Sequence, residues 1–201
     1  MSLQNSKEKK AGGDEPFLLQ RMLKSRTVML TGEVNDRSAR ELMNQLLLLE
    51  DDAPDEPITL IVNSGGGSVN AGFAIYDLMC FIRSPIRVLC AGLTASIATI
   101  ILLGAAKGQR FSLPNTKLLI HQPLIPMEVY GPASDLEITA REILETRARI
   151  NEMLAEECGQ PLEKVGQDTE RDYWMTAEQA VTYGLIDAIV TTRADIDAAK
   201  S

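Results

Sequence analysis

The sequence has one histidine, three cysteines and few aromatic residues, and each shortage excludes something. The single histidine, His121, excludes a metal site built on two histidines, and no cysteine pair has the spacing of zinc ligands. The cysteines, Cys80, Cys90 and Cys158, lie in apolar or helical stretches, as reduced thiols of cytoplasmic proteins usually do. We therefore interpret them as packing residues and predict a cytoplasmic protein. Because aromatic residues make up only 4% of the chain, the core must be mainly aliphatic.

Positive charge is also in short supply. The formal net charge is -8, which argues against a surface for nucleic acid or anionic lipid, because both bind through clustered Lys and Arg. One long uncharged and apolar run, Val88 to Ala106, has the length of a transmembrane helix. Glycine, serine and threonine dilute its apolarity and it opens like a β-strand, so we interpret it as a buried strand followed by a buried helix. We expect neither nucleic acid nor membrane as a partner.

The length of 201 residues and a hydrophobic content of 45% indicate one globular domain with a sizeable core. Residues 1–16 are too polar to join that core and are predicted to form a flexible N-terminal tail. The folded domain is predicted over residues 17–193, and residues 194–201 are assigned to a C-terminal tail.

Two successive strand–helix units form the centre of the predicted fold. The apolar runs 58–62 and 86–90 do not alternate with polar residues, which is typical of strands covered on both faces. A turn of glycine or other small residues follows each run, and helices are predicted over 68–82 and about 95–106. Repeated βα units favour an α/β fold with a mostly parallel sheet and helical cover.

Periodicity and capping signals predict the remaining elements. They are a strand over 27–30, a helix capped by Asn35 or Asp36, a strand over 117–120, an irregular insertion over 124–134, a helix over about 135–158, and a helix opened by Thr176 and ended by Gly184. The longest of these helices carries an apolar stripe. Its members are Leu136, Ala140, Ile143, Leu144, Ile150 and Leu154.

Candidate chemistry begins with the glycine run at 65–67. It lacks the lysine of the P-loop and the third glycine of the dinucleotide-binding motif, so neither phosphate motif fits. It suits a tight turn into a helix, or a helix start without side chains at which backbone N–H groups approach an anion. The residues leave both interpretations open.

Ser96 and His121 are the other candidates. Ser96 opens a predicted helix without the GxSxG motif of α/β-hydrolases, and such a serine is more often a cap or a packing residue than a nucleophile. His121 ends a predicted strand, where side chains of α/β proteins face the ligand crevice. It is the one imidazole that could act as a base for Ser96.

Parallel pairing of the two βα units would bring the glycine turn beside Ser96. The N–H groups of Gly67 and Ile97 could then hold the oxyanion of a tetrahedral intermediate. A carboxylate is also needed to orient the imidazole, and spacing does not choose among four aspartates. These are Asp135, Asp168, Asp172 and Asp187.

Four motifs, taken together and in their order along the chain, resemble those of a known protein family. They are IVNSGGGSV at 61–69, GLTASIA at 92–98, IHQP at 120–123 and DTERD at 168–172. With the text that links them, they make the chain from about residue 27 to 187 similar to the ClpP family, the proteolytic subunits of the Clp protease. The resemblance implies a ClpP/crotonase-like α/β fold of stacked βα units, with a long helix over about 135–158 for contact between rings.

The resemblance also implies roles for individual residues. Ser96 matches the nucleophile, His121 the general base and Asp172 the orienting carboxylate. Gly67 and Ile97 match the two backbone donors of the oxyanion hole. Further matched positions are Gly66, Ser68, Leu124 and Ile125 for substrate binding, and Glu170 and Arg171 for an ion pair at the ring interface. No cofactor is implied.

Several residues depart from the family pattern. Glycine replaces proline at 65, isoleucine replaces methionine at 97, and alanine replaces glycine at 98. The segment 124–132 is longer by two residues and contains Pro126 and Pro132, which have no N–H to offer a substrate strand.

By the same resemblance, seven subunits form a ring and two stacked rings enclose a chamber, either as copies of this chain or mixed with a paralogous subunit. The chain has no Walker motif, so a separate AAA+ unfoldase would supply ATP dependence and feed in unfolded polypeptides. The implied reaction is peptide-bond hydrolysis through an acyl-enzyme. The departures motivate one alternative, a catalytically weak or silent structural subunit, and the fold suggests another, acyl-CoA chemistry.

Overall fold

The computed structural model describes residues 15–124 and 131–198. Eight helices and seven strands lie within these residues. In chain order they are α1 (Glu15–Lys24), β1 (Thr27–Val34), α2 (Asp36–Asp52), β2 (Ile58–Gly67), α3 (Val69–Phe81), β3 (Ile86–Ala95), α4 (Ile97–Leu103), β4 (Arg110–Ser112), β5 (Lys117–Ile120), α5 (Ala133–Cys158), α6 (Leu162–Asp168), β6 (Tyr173–Thr176), α7 (Ala177–Tyr183), β7 (Ala188–Ile189) and α8 (Arg193–Ala198).

The strands form one sheet in the order β1-β2-β3-β4-β7, all parallel. The far end of β3 also pairs with β5, again in parallel, and β6 runs antiparallel to β5. Helices α2, α3 and α4 connect the first strands and pack against them. The predicted α/β class with stacked βα units is confirmed.

The two central strands differ in cover. Along β3 the first three residues are all buried, as predicted for a strand covered on both faces. Along β2 burial alternates, and Thr59 and Ile61 are only half-buried. With Leu89 of β3 they line an open cavity of about 490 Å³, so the prediction of full cover is wrong for β2.

The uncharged run from Val88 is divided between β3 and α4, as predicted. Every residue of α4 is buried, and Ala98, Ile101 and Leu102 have no measurable exposure. The helix is shorter at both ends than predicted, since it begins at Ile97 and ends at Leu103. In the described part of the chain, no helix combines the length and the apolarity needed to cross a bilayer.

Helix α2 is fixed at both ends. Asn35 is its N-cap and forms a capping box with Ser38, which confirms the first of the two predicted caps. At the other end, the Arg26 guanidinium donates hydrogen bonds to four backbone carbonyls, those of Leu49, Ala53, Glu56 and Pro57. These bonds satisfy carbonyl groups that the end of a helix leaves without a partner.

Helix α5 is buried along one half only. Ile150, Leu154 and Cys158 pack in the core, whereas none of the side chains from 133 to 149 is buried. Leu144 is 62% exposed. The stripe predicted from the sequence therefore faces the core of this subunit only from Ile150 onwards, because the first half of the helix extends beyond that core.

Both predicted tails overlap helices. Helix α1 begins at Glu15, and α8 covers residues 193–198, where a tail was predicted. Ile196 of α8 is buried in a small cluster with Phe111 and Val190. The division into tail, domain and tail stays a prediction.

Candidate active site

The register of β5 brings three separated positions to one edge of the sheet. Ala95, the last residue of β3, pairs in parallel with Leu119 of β5. Because parallel strands end at the same edge, the next residue of each chain segment projects from that edge. Ser96 and the end of β5 therefore lie side by side.

The antiparallel strand β6 adds the third position. Ile120, the last residue of β5, pairs with Tyr173, the first residue of β6. His121 follows Ile120 and Asp172 precedes Tyr173, so the pairing places these two side chains together. Strand pairing explains how residues 51 positions apart meet.

Ser96, His121 and Asp172 form a continuous chain of hydrogen bonds. The Nδ1 atom of His121 lies 3.0 Å from Oδ1 of Asp172, and Nε2 lies 2.8 Å from Oγ of Ser96. A carboxylate only accepts hydrogen bonds, so Nδ1 must carry the proton that it donates. In the neutral ring Nε2 is then left to accept the hydrogen bond from the Ser96 hydroxyl, which is the orientation a general base requires.

Ser96 sits between β3 and α4 in an unusual backbone conformation. Its φ is 58° and its ψ is -131°, a region that few residues other than glycine adopt and that costs about 1–3 kcal/mol. Its N–H donates to the Leu119 carbonyl at 2.9 Å, which holds the bend against β5. At this bend the chain passes from strand β3 into helix α4, and the Ser96 hydroxyl faces His121.

The glycine turn packs directly against Ser96. A Cβ atom at Gly66 would lie 2.7 Å from Cβ of Ser96 and 2.8 Å from the Ala95 carbonyl, so only glycine fits there. A Cβ atom at Gly67 would collide with the Val34 carbonyl. Buried Ser64 holds the turn, since its hydroxyl donates to the Gly32 carbonyl at 2.5 Å and accepts from the Gly66 N–H at 3.0 Å.

One predicted oxyanion donor, Ile97, follows Ser96 in the chain, and the other, Gly67, follows the glycine that packs against Ser96. Ile97 is the first residue of α4, and N–H groups in the first turn of a helix have no partner within the helix. The Gly67 N–H belongs to the peptide bond that joins it to Gly66, the residue in contact with Ser96. Their role as donors stays a prediction.

The three other aspartates lie elsewhere, and two of them have partners of their own. Asp168 accepts hydrogen bonds from Lys164 at 2.5 Å and from the Tyr183 hydroxyl at 3.0 Å. Asp187 accepts from the backbone N–H groups of Gly108 and Arg110, and Asp135 lies in the first turn of α5. The choice that spacing left open therefore falls on Asp172 by distance.

A network that the sequence analysis missed connects the loop of Asp172 to the strand of His121. The Gln122 backbone N–H donates to the Thr169 carbonyl at 2.7 Å, and its side chain donates to the Glu170 carbonyl at 2.8 Å. The Thr169 hydroxyl donates to Oδ1 of Asn151 at 2.9 Å in the core. The one available signal was Asn151, a polar residue within the buried stripe of α5.

The remaining predicted positions are more scattered. Ser68 is the N-cap of α3, and Leu124 is 71% exposed beyond the site. Ile125 lies outside the described residues. Glu170 forms an ion pair of 2.6 Å with Arg147 of α5, and Arg171 is exposed at the surface. A contact of these two residues with another subunit stays a prediction.

The cysteines do not compete with Ser96 as nucleophiles in this region. Burial raises the pKa of Cys90 to about 12 and that of Cys158 to about 11. At neutral pH both thiols are therefore protonated and poorly reactive. Cys90 and Cys158 are buried in the core, as predicted for packing residues, whereas Cys80 is exposed at the surface, so the prediction is wrong for Cys80.

The fold and the site together indicate an α/β protein of the hydrolase class. A serine at a strained bend between a strand and a helix faces an imidazole. A sequence model described as Clp protease matches residues 12–193. The chain therefore belongs to the Clp protease family. Membership indicates a peptidase of the Clp type that works within an oligomeric proteolytic assembly.

Proposed function

We propose that the protein is a serine endopeptidase, a subunit of a compartmentalised Clp-type protease. The observation that carries this proposal is the hydrogen-bonded chain from Asp172 through His121 to the Ser96 hydroxyl, with distances of 3.0 and 2.8 Å. Three side chains of the right types, in the right order and tautomer, are what acyl transfer through a serine requires.

The reaction follows from the geometry. His121 Nε2 takes the hydroxyl proton as Ser96 Oγ attacks the scissile carbonyl, and Asp172 stabilises the imidazolium that forms. The N–H groups of Gly67 and Ile97 would stabilise the oxyanion, and each would lower the barrier by about 3–4 kcal/mol. His121 then returns the proton to the leaving amine as the C–N bond breaks. In the second half of the reaction His121 takes a proton from water, the water oxygen attacks the acyl carbonyl, and His121 returns the proton to Ser96 Oγ as the ester bond breaks.

The exposed half of α5 supports the assembly into rings. Leu136, Ile138 and Leu144 are large apolar side chains with at least two fifths of their surface exposed. Large apolar side chains left exposed on one helix are typical of an interface that another subunit covers. We propose that two stacked seven-membered rings form through this region and that an AAA+ unfoldase delivers unfolded polypeptides. A cytoplasmic location is part of the same proposal.

A fluorophosphonate probe tests the chemistry. We expect it to label the wild type and the surface variant Ser134→Ala, whereas Ser96→Ala should remain unlabelled although folded. Parallel assays would follow cleavage of a fluorogenic peptide and the native mass.

A folded but unlabelled wild type, also in the presence of any paralogous subunit, would contradict the proposal and support a structural ring subunit. Turnover of a CoA thioester that survives Ser96→Ala would support acyl-CoA chemistry instead. The complete hydrogen-bonded chain favours the peptidase over both.

A further inference from the structure

Thr99 lies in the first turn of α4, three residues after Ser96, and only 1% of its surface is exposed. Its hydroxyl donates to the Ser96 carbonyl at 2.7 Å, and its backbone N–H donates to the same oxygen at 2.9 Å. One residue thus supplies two hydrogen bonds to a single carbonyl. A threonine in a helix often bonds to a carbonyl one turn earlier, so the importance of this contact depends on which carbonyl it holds.

The carbonyl that Thr99 holds belongs to the peptide group of a proposed oxyanion donor. The carbonyl carbon of Ser96 is bonded to the nitrogen of Ile97. A trans peptide group is planar, and its C=O and N–H bonds point in opposite directions. The two bonds to the oxygen therefore set the direction of the Ile97 N–H. They also polarise the peptide group, which strengthens the N–H as a donor by about 10–30% per bond.

The side chain of Ile97 is fixed by α3. It is 3% exposed, and a Cβ atom at Gly72 of α3 would collide with its Cγ1. The isoleucine thus fills the space that a larger residue at position 72 would occupy. Because a β-branched side chain has one strongly preferred χ1 rotamer in a helix, this contact fixes where residue 97 lies. The tilt of the preceding peptide plane is left to the bonds at the carbonyl.

Backbone strain favours rotation of this same peptide group. Ser96 has a φ of 58° and a ψ of -131°, and such a conformation persists only where the surrounding contacts hold it. Rotation about ψ of Ser96 would relieve the strain and would turn the Ile97 N–H at the same time. The Thr99 hydroxyl opposes this rotation, because the carbonyl would turn away from it.

We propose that Thr99 is a positioning residue for the oxyanion hole, whose hydroxyl keeps the Ile97 N–H directed at the oxyanion through the Ser96 carbonyl. The inference rests on the proposed serine peptidase and adds a residue to its mechanism. Thr99 acts through a backbone group and not on the substrate itself. The donor is needed most when charge develops on the substrate oxygen, so its misalignment lowers kcat and leaves KM unchanged.

Two pairs of proteins isolate the hydroxyl. Wild type and Thr99→Val have side chains of similar size, and Thr99→Ser and Thr99→Ala both lack the γ-methyl group. In each pair, we expect loss of the hydroxyl to lower kcat for a fluorogenic peptide by about 10-fold with KM unchanged. This is less than the about 100- to 1000-fold that removal of a whole donor costs. The second pair decides the question if Thr99→Val does not fold.

Thr94→Val is the matched control. Thr94 is also buried, and it lies on β3 two residues before Ser96. In the described part of the chain its hydroxyl finds no acceptor except the nearby Cys90 thiol, which accepts only weakly. The same chemical change is therefore made close to the site without the loss of a carbonyl contact. We expect kcat and KM of this variant to equal those of the wild type.

A peptide aldehyde provides a readout that a purely structural role would not change. Ser96 Oγ adds to the aldehyde carbon as His121 takes the hydroxyl proton, and the carbonyl oxygen becomes an oxyanion in the proposed hole. Protection of Ser96 from the fluorophosphonate probe measures the affinity of the aldehyde. We expect this affinity to fall by the same factor as kcat, about 10-fold, in Thr99→Val. A variant that had only lost stability would contain less folded protein, and its folded molecules would bind the aldehyde as the wild type does.

The outcomes separate the two proposals. Absence of labelling in the folded wild type would overturn the serine peptidase and the inference with it. A labelled wild type, combined with unchanged kcat and aldehyde affinity in the variants without the hydroxyl, would overturn the role of Thr99 alone. An equal loss of kcat in Thr94→Val would overturn it too.

Discussion

Ser96 and the glycine turn stand on the buried centre of the sheet, whereas Asp172 lies on a surface loop with 61% of its side chain exposed. On the first side, a fully buried helix and the contact of Gly66 with Ser96 fix the nucleophile through packing. On the second side, hydrogen bonds from Gln122 and an ion pair of Glu170 hold the loop. Packing defines one half of the site and polar contacts define the other, so the two halves should respond differently to substitution.

The largest effect is expected from Asp172→Asn. The amide cannot hold His121 in the required tautomer, so kcat should fall by about 10³- to 10⁴-fold while the exposed position leaves folding intact. Steady-state cleavage of a fluorogenic peptide together with circular dichroism would measure both. As a control, Asp168→Asn should affect the stability more than the rate, because it weakens contacts with Lys164 and Tyr183. A rate near that of the wild type for Asp172→Asn would remove this carboxylate from the mechanism.

Gly66→Ala tests the packed side. The added methyl group would lie 2.7 Å from Ser96 Cβ and must displace the nucleophile, so the fluorophosphonate labelling rate should fall by about 100-fold or more. Gly108→Ala is the matched control. Gly108 also has a positive φ, 85°, but nothing lies within 4 Å of its added methyl group, so it carries only the backbone strain. Equal labelling of the two variants would mean that contact with Gly66 does not position Ser96.

Gln122→Leu tests the hydrogen-bonded side. Loss of the side-chain bond to the Glu170 carbonyl should weaken the hold on Asp172 by about 1 kcal/mol and lower kcat by up to about 10-fold with KM unchanged. Gln167→Leu, at an exposed position of α6, should leave both constants unchanged. If KM rose while kcat stayed constant, Gln122 would contribute to substrate binding and not to the position of Asp172.

Alkaline pH should lower the free energy of unfolding through Tyr183, which contacts Asp168 at the end of α6, and this effect should be smaller. Burial, and then the hydrogen bond to Asp168, raise the pKa of Tyr183 above its usual value of about 10. The folded state thus keeps a proton that the unfolded state releases. The stabilisation is complete below about pH 10 and is lost as the pH rises beyond it.

Urea unfolding between pH 8 and 11 would measure this dependence, and Tyr183→Phe should make it shallower. Part of it should remain, because burial also raises the pKa of Tyr76 to about 12. An unchanged slope in Tyr183→Phe would contradict the assignment.

The exposed half of α5 offers a last comparison. Leu144→Asp should lower the native mass of the assembly and leave the fold of the subunit unchanged, because residue 144 touches no core. Leu154→Ala, on the buried half, should instead lower the free energy of unfolding by about 2–5 kcal/mol. Native mass spectrometry and urea unfolding of both variants would separate the two roles. A full-size assembly of Leu144→Asp would place the interface elsewhere.

Local signals predicted the parts of the fold that local forces determine. Strand β5 was predicted with the bounds that the structure gives, and the Thr176 capping box opens α7 as expected. Short elements such as β4 and β6 escaped prediction because three or four residues give no period and their pairing depends on distant strands. The stripe on α5 was overextended because hydrophobic spacing does not distinguish the core of a subunit from a surface between subunits.

The site was predictable only in part for the same reason. The motifs indicated Ser96 and His121, but selection of Asp172 depended on resemblance, because the pairing of Ile120 with Tyr173 is not encoded in any local spacing. The contacts of Gln122 with residues 169 and 170 have no sequence signature at all.

The backbone of Ser96 has a consequence for how the protein could be altered. A serine held at a φ of 58° lowers the stability of the folded state, and it does so at the position where the reaction takes place. Replacement of this serine by glycine should relieve that burden and give a chain that withstands heat at least as well as the native one, with no reactive hydroxyl. Selection for durability alone would therefore drift toward an inert protein, and only selection for cleavage would retain the serine.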